Sequence, residues 1–382
     1  MWSASVKENP ELLLPRSQQL TGLMKTPVGN LRDLDLSNHD VCKRILALDK
    51  HRLAEGLVVE SLFDQYLAAF PKNLNDAPVL IDADTAIATN PGRRETYAFV
   101  WDRESRIGLR RYLIALGNRY DTWLVRFDAS GNSFITSQVK DGKRVTGWSS
   151  LYETARDLSG LKYEHDVDVD VSVRDPKRIN QSFWGYLSAH YGDALGERVV
   201  LPRIFLNFGI QPWFRYVWNI DRVYLQGDQI WHLEIKHKYP ITGRPLTFGL
   251  NDGELRLIRN LSQCGLRSLH TIIVKPRWNK ETSSMLLTND MSARAAAAVI
   301  GREITGDDVA SIMRQRPGQS GADTSFSGRS SLKFRSMPAS GFTSFGTLGM
   351  PYTEVAGRID RFMRGEVLDR ITDERLSELR LA

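Results

Sequence analysis

The stretch from Trp218 to His237 constrains the fold more than any other part of this 382-residue chain. Two β-prone runs, Trp218-Asn219-Ile220-Asp221-Arg222-Val223-Tyr224-Leu225 and Ile230-Trp231-His232-Leu233-Glu234-Ile235-Lys236-His237, flank Gln226-Gly227-Asp228-Gln229. Gly-Asp between such runs predicts a two-residue hairpin turn, because glycine accepts the positive φ that a type II′ turn needs at its first central position. Pairing outward from Gly227-Asp228 sets Asp221 opposite Glu234 and Asn219 opposite Lys236, all four on one face. Tyr224 against Trp231, Ile220 against Ile235, and Leu233 form the other, core-packed face. A slip of one residue would bury the carboxylates instead.

Carboxylates directly opposite on a sheet have Cβ atoms about 4.5–5.5 Å apart, and like charges so placed repel. A divalent cation compensates them, and hard carboxylate oxygens suit Mg²⁺, with Mn²⁺ as the alternative. Lys236, on the same face as Glu234, is placed to hold or polarise an attacking water and to offset phosphate charge. His232 faces that side too and is an accessory candidate. Asp221, Glu234 and Lys236 suffice for metal-assisted phosphodiester hydrolysis.

The surrounding elements follow from periodicity. Residues 37–70 carry helical spacing in Leu46, Leu48, Leu53, Leu57, Leu62, Tyr66 and Leu67, predicting one or two helices. Residues 79–145 read as short strands, Val79-Leu80-Ile81, Tyr97–Trp101 and Trp123–Phe127, with turn signals at Asn90-Pro91-Gly92 and Gly131-Asn132. Glu164–Val173 alternates Asp166, Asp168 and Asp170 with valines, a half-exposed strand. Arg178–Tyr191 then predicts a helix, Val199–Asn207, Val217–Leu225 and Ile230–His237 three strands, Leu250–Leu261 a helix and Leu269–Val274 a buried strand.

Farther on, Ser292–Ile300 reads as an alanine-rich helix stopped by Gly301, and Thr305 with Asp308 as a capping box. Gln315–Met350 is rich in Ser and Gly, carrying Arg316, Arg329, Lys333 and Arg335 against Asp323 alone, which predicts a mobile basic linker. Thr353–Leu381 is amphipathic. The expected organisation is an α+β N-terminal domain of unassigned role (1–165), a central core (166–285), short helices (286–314), a linker (315–350) and a C-terminal helix (351–382).

Here the chain resembles the PD-(D/E)XK nuclease superfamily, whose motif is an acidic residue on one strand and acid-any-Lys on the next: Asp221 and Glu234-Ile235-Lys236. The resemblance spans roughly 176–278 and implies an α/β fold with a restriction-endonuclease-like core of helix, three strands, helix, strand. It implies Mg²⁺ held by Asp221, Glu234 and the backbone carbonyl of Ile235, with nucleic acid, DNA favoured, as substrate. Acid-any-Lys recurs at Asp141-Gly142-Lys143 and Asp175-Pro176-Lys177, but beside turn residues. Ile220 stands where the family often has proline, and the preceding helix lacks the glutamate some members use, with Gln181 or Asn180 as the substitute.

Between Val199 and Lys280 there are 12 Lys and Arg against 5 Asp and Glu, with Trp213, Phe214, Trp218, Trp231 and Trp278 interspersed, a mixture suited to phosphate contact and base stacking. Arg256, Arg259, Lys275 and Arg277 are the candidate backbone contacts. The net charge of +6 allows a polyanionic partner. The C-terminal helix is a candidate for a protein partner or self-association. Two cysteines and the absence of a signal-like or membrane-spanning apolar stretch favour the cytoplasm, although export without a cleavable signal would look the same.

Two rival readings compete. One is a non-catalytic nucleic-acid or protein-binding module on a nuclease-like fold. The other rests on Val79-Leu80-Ile81-Asp82-Ala83-Asp84-Thr85, which resembles the strand-Asp-any-Asp start of haloacid-dehalogenase-like phosphatases, with Asp82 and Asp84 as nucleophile and acid/base.

Overall fold

The structure, a computed structural model, describes residues 24–72, 76–90, 95–160, 169–319 and 333–382. In chain order its main elements are α1 (His51–Leu67), β1 (Val79–Leu80), β2 (Ala83–Thr89), β3 (Thr96–Asp102), α2 (Leu109–Gly117), β4 (Asp121–Asp128) and β5 (Ser133–Lys140). Then come β6 (Tyr216–Ile220), β7 (Arg222–Gln226), β8 (Gln229–Lys238), β9 (Thr247–Asn251), α3 (Asp252–Gln263) and β10 (Leu266–Val274). They are followed by β11 (Ala298–Glu303), β12 (Lys333–Pro338) and β13 (Thr343–Thr347). The fold is mixed α/β.

Two large sheets organise it. The six-stranded sheet runs β13-β11-β10-β8-β7-β1, with β8 and β10 parallel across α3 and the other neighbours antiparallel. The seven-stranded sheet begins β6-β2-β3-β4-β5 and is antiparallel except for β3 with β4. β9 and β12 pair in a third sheet of three strands.

The hairpin forms with the expected register. Gln226 pairs with Gln229, Tyr224 with Trp231 and Arg222 with Leu233, and Gly227 takes φ 53°. The ladder stops there. Asp221 belongs to neither strand, because the run expected as one strand over Val217–Leu225 crosses between sheets at this residue. Asn219 therefore pairs with Ala86 and Ile220 with Thr85, not with Lys236 and Ile235. The boundary expected at 165/166 is crossed by both sheets, since β6 pairs with β2 and β7 with β1. Composition carries no signal for such non-local pairing.

Other expectations are corrected. Val199–Asn207 is helical, within Gly196–Val200, Leu201–Ile204 and Phe205–Ile210, and the buried pairs Val200-Leu201, Ile204-Phe205 and Phe208-Gly209 recur every four residues. A short apolar run alone does not separate a buried strand from a buried helix. Ser292–Ile300 is not one helix: Met291–Ala296 is helical, then β11 enters the sheet, where a Cβ on Gly301 would lie 2.4 Å from Phe345. Val171–Val173 is a single helical turn capped by Asp170, not a strand, and residues 161–168 lie outside the described residues. The linker expected over 315–350 gives way to β12 and β13, whose Met337 and Phe345 are buried, as is Phe342 between them; residues 320–332 lie outside the described residues. The C-terminal segment is a helix pair, Tyr352–Met363 and Asp373–Glu378. The Thr305–Asp308 capping box forms as expected.

Three apolar clusters hold these layers. α1, the 176–210 helices and the Tyr352–Met363 helix pack against Tyr224, Trp231, Leu233 and Ile235. α2 and the Leu257/Leu261 side of α3 cover Ile220, Val223 and Ile230. Leu255 and Ile258, on another side of α3, meet β9, β12 and the Gly306–Arg314 helix. The hairpin's end is thus enclosed by α1 on one side and α3 on the other. Among the described residues no helix is long and apolar enough to cross a membrane.

Candidate functional site

The break at Asp221 builds the site. Released from the ladder, its carboxylate turns to β8 and accepts the Ile235 N–H at 3.1 Å. A strand residue sends its N–H and C=O to the same edge, so the Ile235 carbonyl faces Asp221 as well. Glu234 and Lys236 project from the opposite face to Leu233 and Ile235, toward the start of α3. The Lys236 ammonium touches Glu234 Oε1, lies 3.5 Å from Glu254 Oε1 and is 4.0 Å from Asp221 Oδ2. Glu254 is fixed there by the capping box it forms with Asn251 at the start of α3. His232 is fully buried, with Nε2 3.3 Å from Glu234 Oε2 and Nδ1 3.4 Å from Ser268.

Electrostatics divide the carboxylates. Burial and the neighbouring Glu234 charge push Asp221 above the usual carboxylate range. Burial acts on Glu234 in the same direction, but Lys236 and His232 outweigh it and hold Glu234 below that range. Lys236 rises well above its usual value, since Glu234, Asp221 and Glu254 overcome its desolvation.

A further carboxylate comes from α1. Glu60 is pushed up to about 7, first by burial and then by the charge of Asp221. One turn on, Asp64 holds Arg222 through bonds of 3.0 and 2.6 Å. Glu60 and Asp64 were missed by sequence reasoning, which sought this contribution in Gln181 or Asn180. Those two side chains are exposed on Pro176–Ser182. The available signal was an i, i+4 acidic pair on a helix otherwise rich in buried apolar residues. Arg335 on β12 was assigned to a linker, yet it is buried, with Nε 3.5 Å from Asp252 Oδ1 and neither Nε nor Nη1 hydrogen-bonded.

The remaining candidates scatter. Arg256 and Arg259 are exposed on α3, and Arg277 is exposed after β10. Lys275 is half-buried, donates to the Thr282 carbonyl at 3.4 Å, and burial lowers its pKa. Asn219 is exposed on β6, away from Lys236. Of the aromatics, Trp213, Phe214 and Trp231 are core, while Trp218 and Trp278 are half-buried. Asp82 is paired to Arg198 at 3.3 Å and Asp84 to Arg103, with β1 and β2 in different antiparallel surroundings. Both acids of the phosphatase reading are thus held in ion pairs.

Among the described residues no three His, Cys, Asp or Glu side chains are arranged to hold a metal ion. Two carboxylates and a carbonyl do match Mg²⁺ in donor chemistry, because this ion keeps several waters and is commonly held by one or two carboxylates. Comparison with protein-family models, curated proteins and solved structures finds no match for this chain.

Proposed function

We propose that this chain is a metal-dependent nuclease that hydrolyses phosphodiester bonds, with DNA the favoured substrate and a restriction-endonuclease-like core formed by α1, β7, β8, α3 and β10. The observation that carries the reading is the convergence of Asp221, Glu234 and Lys236 where the strand pairing is interrupted between β6 and β7, which frees Asp221 from the ladder. Asp221, Glu234 and the Ile235 carbonyl would hold Mg²⁺. The ion supplies Lewis acidity toward the phosphate and its bound water. Lys236 positions the attacking water and offsets charge as it develops on the phosphoryl oxygens. Water gives up a proton to solvent as its oxygen bonds to phosphorus, the P–O bond to the leaving sugar breaks, and solvent supplies a proton to the departing oxygen. Glu60, held near neutral titration by burial and Asp221, adds to the field behind Asp221.

The contact of Lys236 with three carboxylates also supports the second reading, a closed ion-paired hairpin in a non-catalytic binding module. Purified protein incubated with supercoiled DNA, linear DNA and RNA, with Mg²⁺, Mn²⁺ or EDTA, separates the two. Metal-dependent cutting that vanishes in Asp221→Asn and Glu234→Gln is expected. Absence of metal-stimulated cutting on every substrate overturns the nuclease reading.

A further inference from the structure

β6 ends at the candidate site and begins at the surface. It is an edge strand of the seven-stranded sheet, paired on one side with β2. Tyr216, Trp218 and Ile220 share one face by the two-residue period of a strand. Ile220 and Val223 are covered by α2 and α3, but that cover runs out toward the start of β6. Trp218 lies against the first turn of α3, where a Cβ on Gly253 would come within 3.2 Å of its indole nitrogen. Tyr216 lies beyond the helix, 44% exposed. The two rings are stacked, 5.9 Å between centroids and 21° between planes, and the Arg215 guanidinium lies 5.7 Å from the Tyr216 centroid.

Exposed stacked aromatics are costly to leave in water, and scattered single residues are the ordinary case. This pair is not scattered, because it forms a row pointing at Asp221 along one strand. At about 3.3 Å per residue, Tyr216 is about 17 Å from Asp221. The charges around the row favour an anion. Arg215 flanks it, and Arg256 is exposed on α3 three residues after Gly253, as is Arg259 one turn later. None of the three makes a salt bridge among the described residues. The nearby acids are engaged, Asp252 by Arg335 and Glu254 by Lys236.

We infer that Tyr216 and Trp218 are a stacking platform for an unpaired nucleic-acid strand whose backbone runs on to Lys236, so that the substrate at this site is single-stranded or frayed nucleic acid and not an intact duplex. Its placement next to the cutting centre rests on the nuclease reading above. The chemistry is that of base-on-aromatic stacking beside a cationic track, which tolerates any base. A base within a duplex already has both faces stacked on its neighbours and has none to offer.

The test needs no cleavage. Fluorescence anisotropy in EDTA would measure binding of labelled oligo-dT, oligo-rU and a mixed-sequence duplex, each of about 20 nucleotides or base pairs, which exceeds the span of one stacking site. The parent is expected to bind both unpaired strands more tightly than the duplex. Tyr216→Ala should weaken binding to the unpaired strands about tenfold and to the duplex less than twofold, while Tyr216→Phe retains parental binding. Because Tyr216 is exposed, the circular-dichroism melt should be unchanged, which checks folding. Parental binding by Tyr216→Ala, equal loss on duplex and unpaired strands, or no binding of either unpaired strand by the parent overturns the platform. If Tyr216→Ala loses unpaired-strand binding while the parent never cuts with Mg²⁺, the nuclease reading fails and the platform stands. If the parent cuts and Tyr216→Ala binds normally, the reverse holds.

Discussion

Two clusters of charge lie at the ends of the two large sheets, and they are built differently. Beside β2 and β3, the four acids Asp82, Asp84, Asp102 and Glu104 meet the four arginines Arg103, Arg106, Arg126 and Arg198. At the hairpin, the five acids Glu60, Asp64, Asp221, Glu234 and Glu254 meet two cations in direct contact, Arg222 and Lys236, with Arg203 and Lys238 acting at longer range. In the matched cluster each acid has an arginine partner. The hairpin cluster holds more carboxylates than directly contacting cations, and burial first, then the neighbouring carboxylate charge, raises the pKa values of Asp221 and Glu60. The Mg²⁺ proposed above would offset that surplus.

The largest expected difference between the clusters is in cutting rate. Lys236→Met should slow metal-dependent cleavage about a hundredfold or more, the order for a lost transition-state donor. Its nucleic-acid binding should stay near parental, because Lys236 acts on developing charge. Arg103→Met in the matched cluster should cut at the parental rate. Single-turnover kinetics on both variants decide this, and equal rates for Lys236→Met and parent would sink the assignment. Next in size is stability. Arg103→Met leaves Asp84 partly buried and unpaired and removes the guanidinium 4.5 Å from the Trp101 ring centre. A loss of about 2 kcal/mol is expected from urea denaturation, and an unchanged midpoint would show that the matched cluster contributes little.

How much of this contrast was legible in the sequence depends on whether the deciding contact was local. The Gly227-Asp228 turn and the register of Arg222 with Leu233 follow from turn chemistry and two-residue alternation, and both are present. The meeting of Asp221, Glu234 and Lys236 follows from that register. The way Asp221 gets there does not. Trp218–Leu225 reads as one strand by its two-residue alternation despite Asn219 and Asp221, and the pairing of β6 with β2, supplied by distant residues, makes Asp221 a break. Glu60 and Asp64 are remote in sequence, so helical periodicity could place them on α1 but not over Arg222. Likewise Ser and Gly content suggested a linker where Met337, Phe342 and Phe345, few but well spaced, fill the core.

A smaller effect sharpens the comparison from the other side. If the hairpin cluster carries an uncompensated surplus, removing one carboxylate should stabilise the metal-free protein while ending its function. Asp221→Asn retains an oxygen for the Ile235 N–H and removes the charge that repels Glu234 and Glu60. Its urea stability in EDTA should exceed the parent's by about 1 kcal/mol, in line with the general trade of stability for site function. Mg²⁺ is expected to raise the parent's melting temperature and to leave the variant's unchanged. A variant less stable than the parent in EDTA would place Asp221 among structural ion pairs, like Asp84.

The smallest expected effect tests whether charge matters outside both clusters. Asp228 sits at the hairpin tip, fully exposed, 3.3 Å from the Arg111 guanidinium. That pair joins α2 to the β7–β8 turn. The link does not depend on the carboxylate, because Arg111 also donates to the carbonyls of Gly227 at 3.0 Å and Asp228 at 2.8 Å. Solvent screens the exposed pair, and holding two side chains in one geometry costs entropy that offsets most of the attraction. Nor does the turn need an acid there, since the positive φ falls on Gly227 and not on Asp228. Asp228→Ala should therefore leave both the urea midpoint and the cleavage rate unchanged within error, at low salt as at high. A salt-dependent loss of stability in that variant would mean that the hairpin tip is anchored by charge, and that burial alone does not separate the ion pairs that matter in this molecule from those that do not.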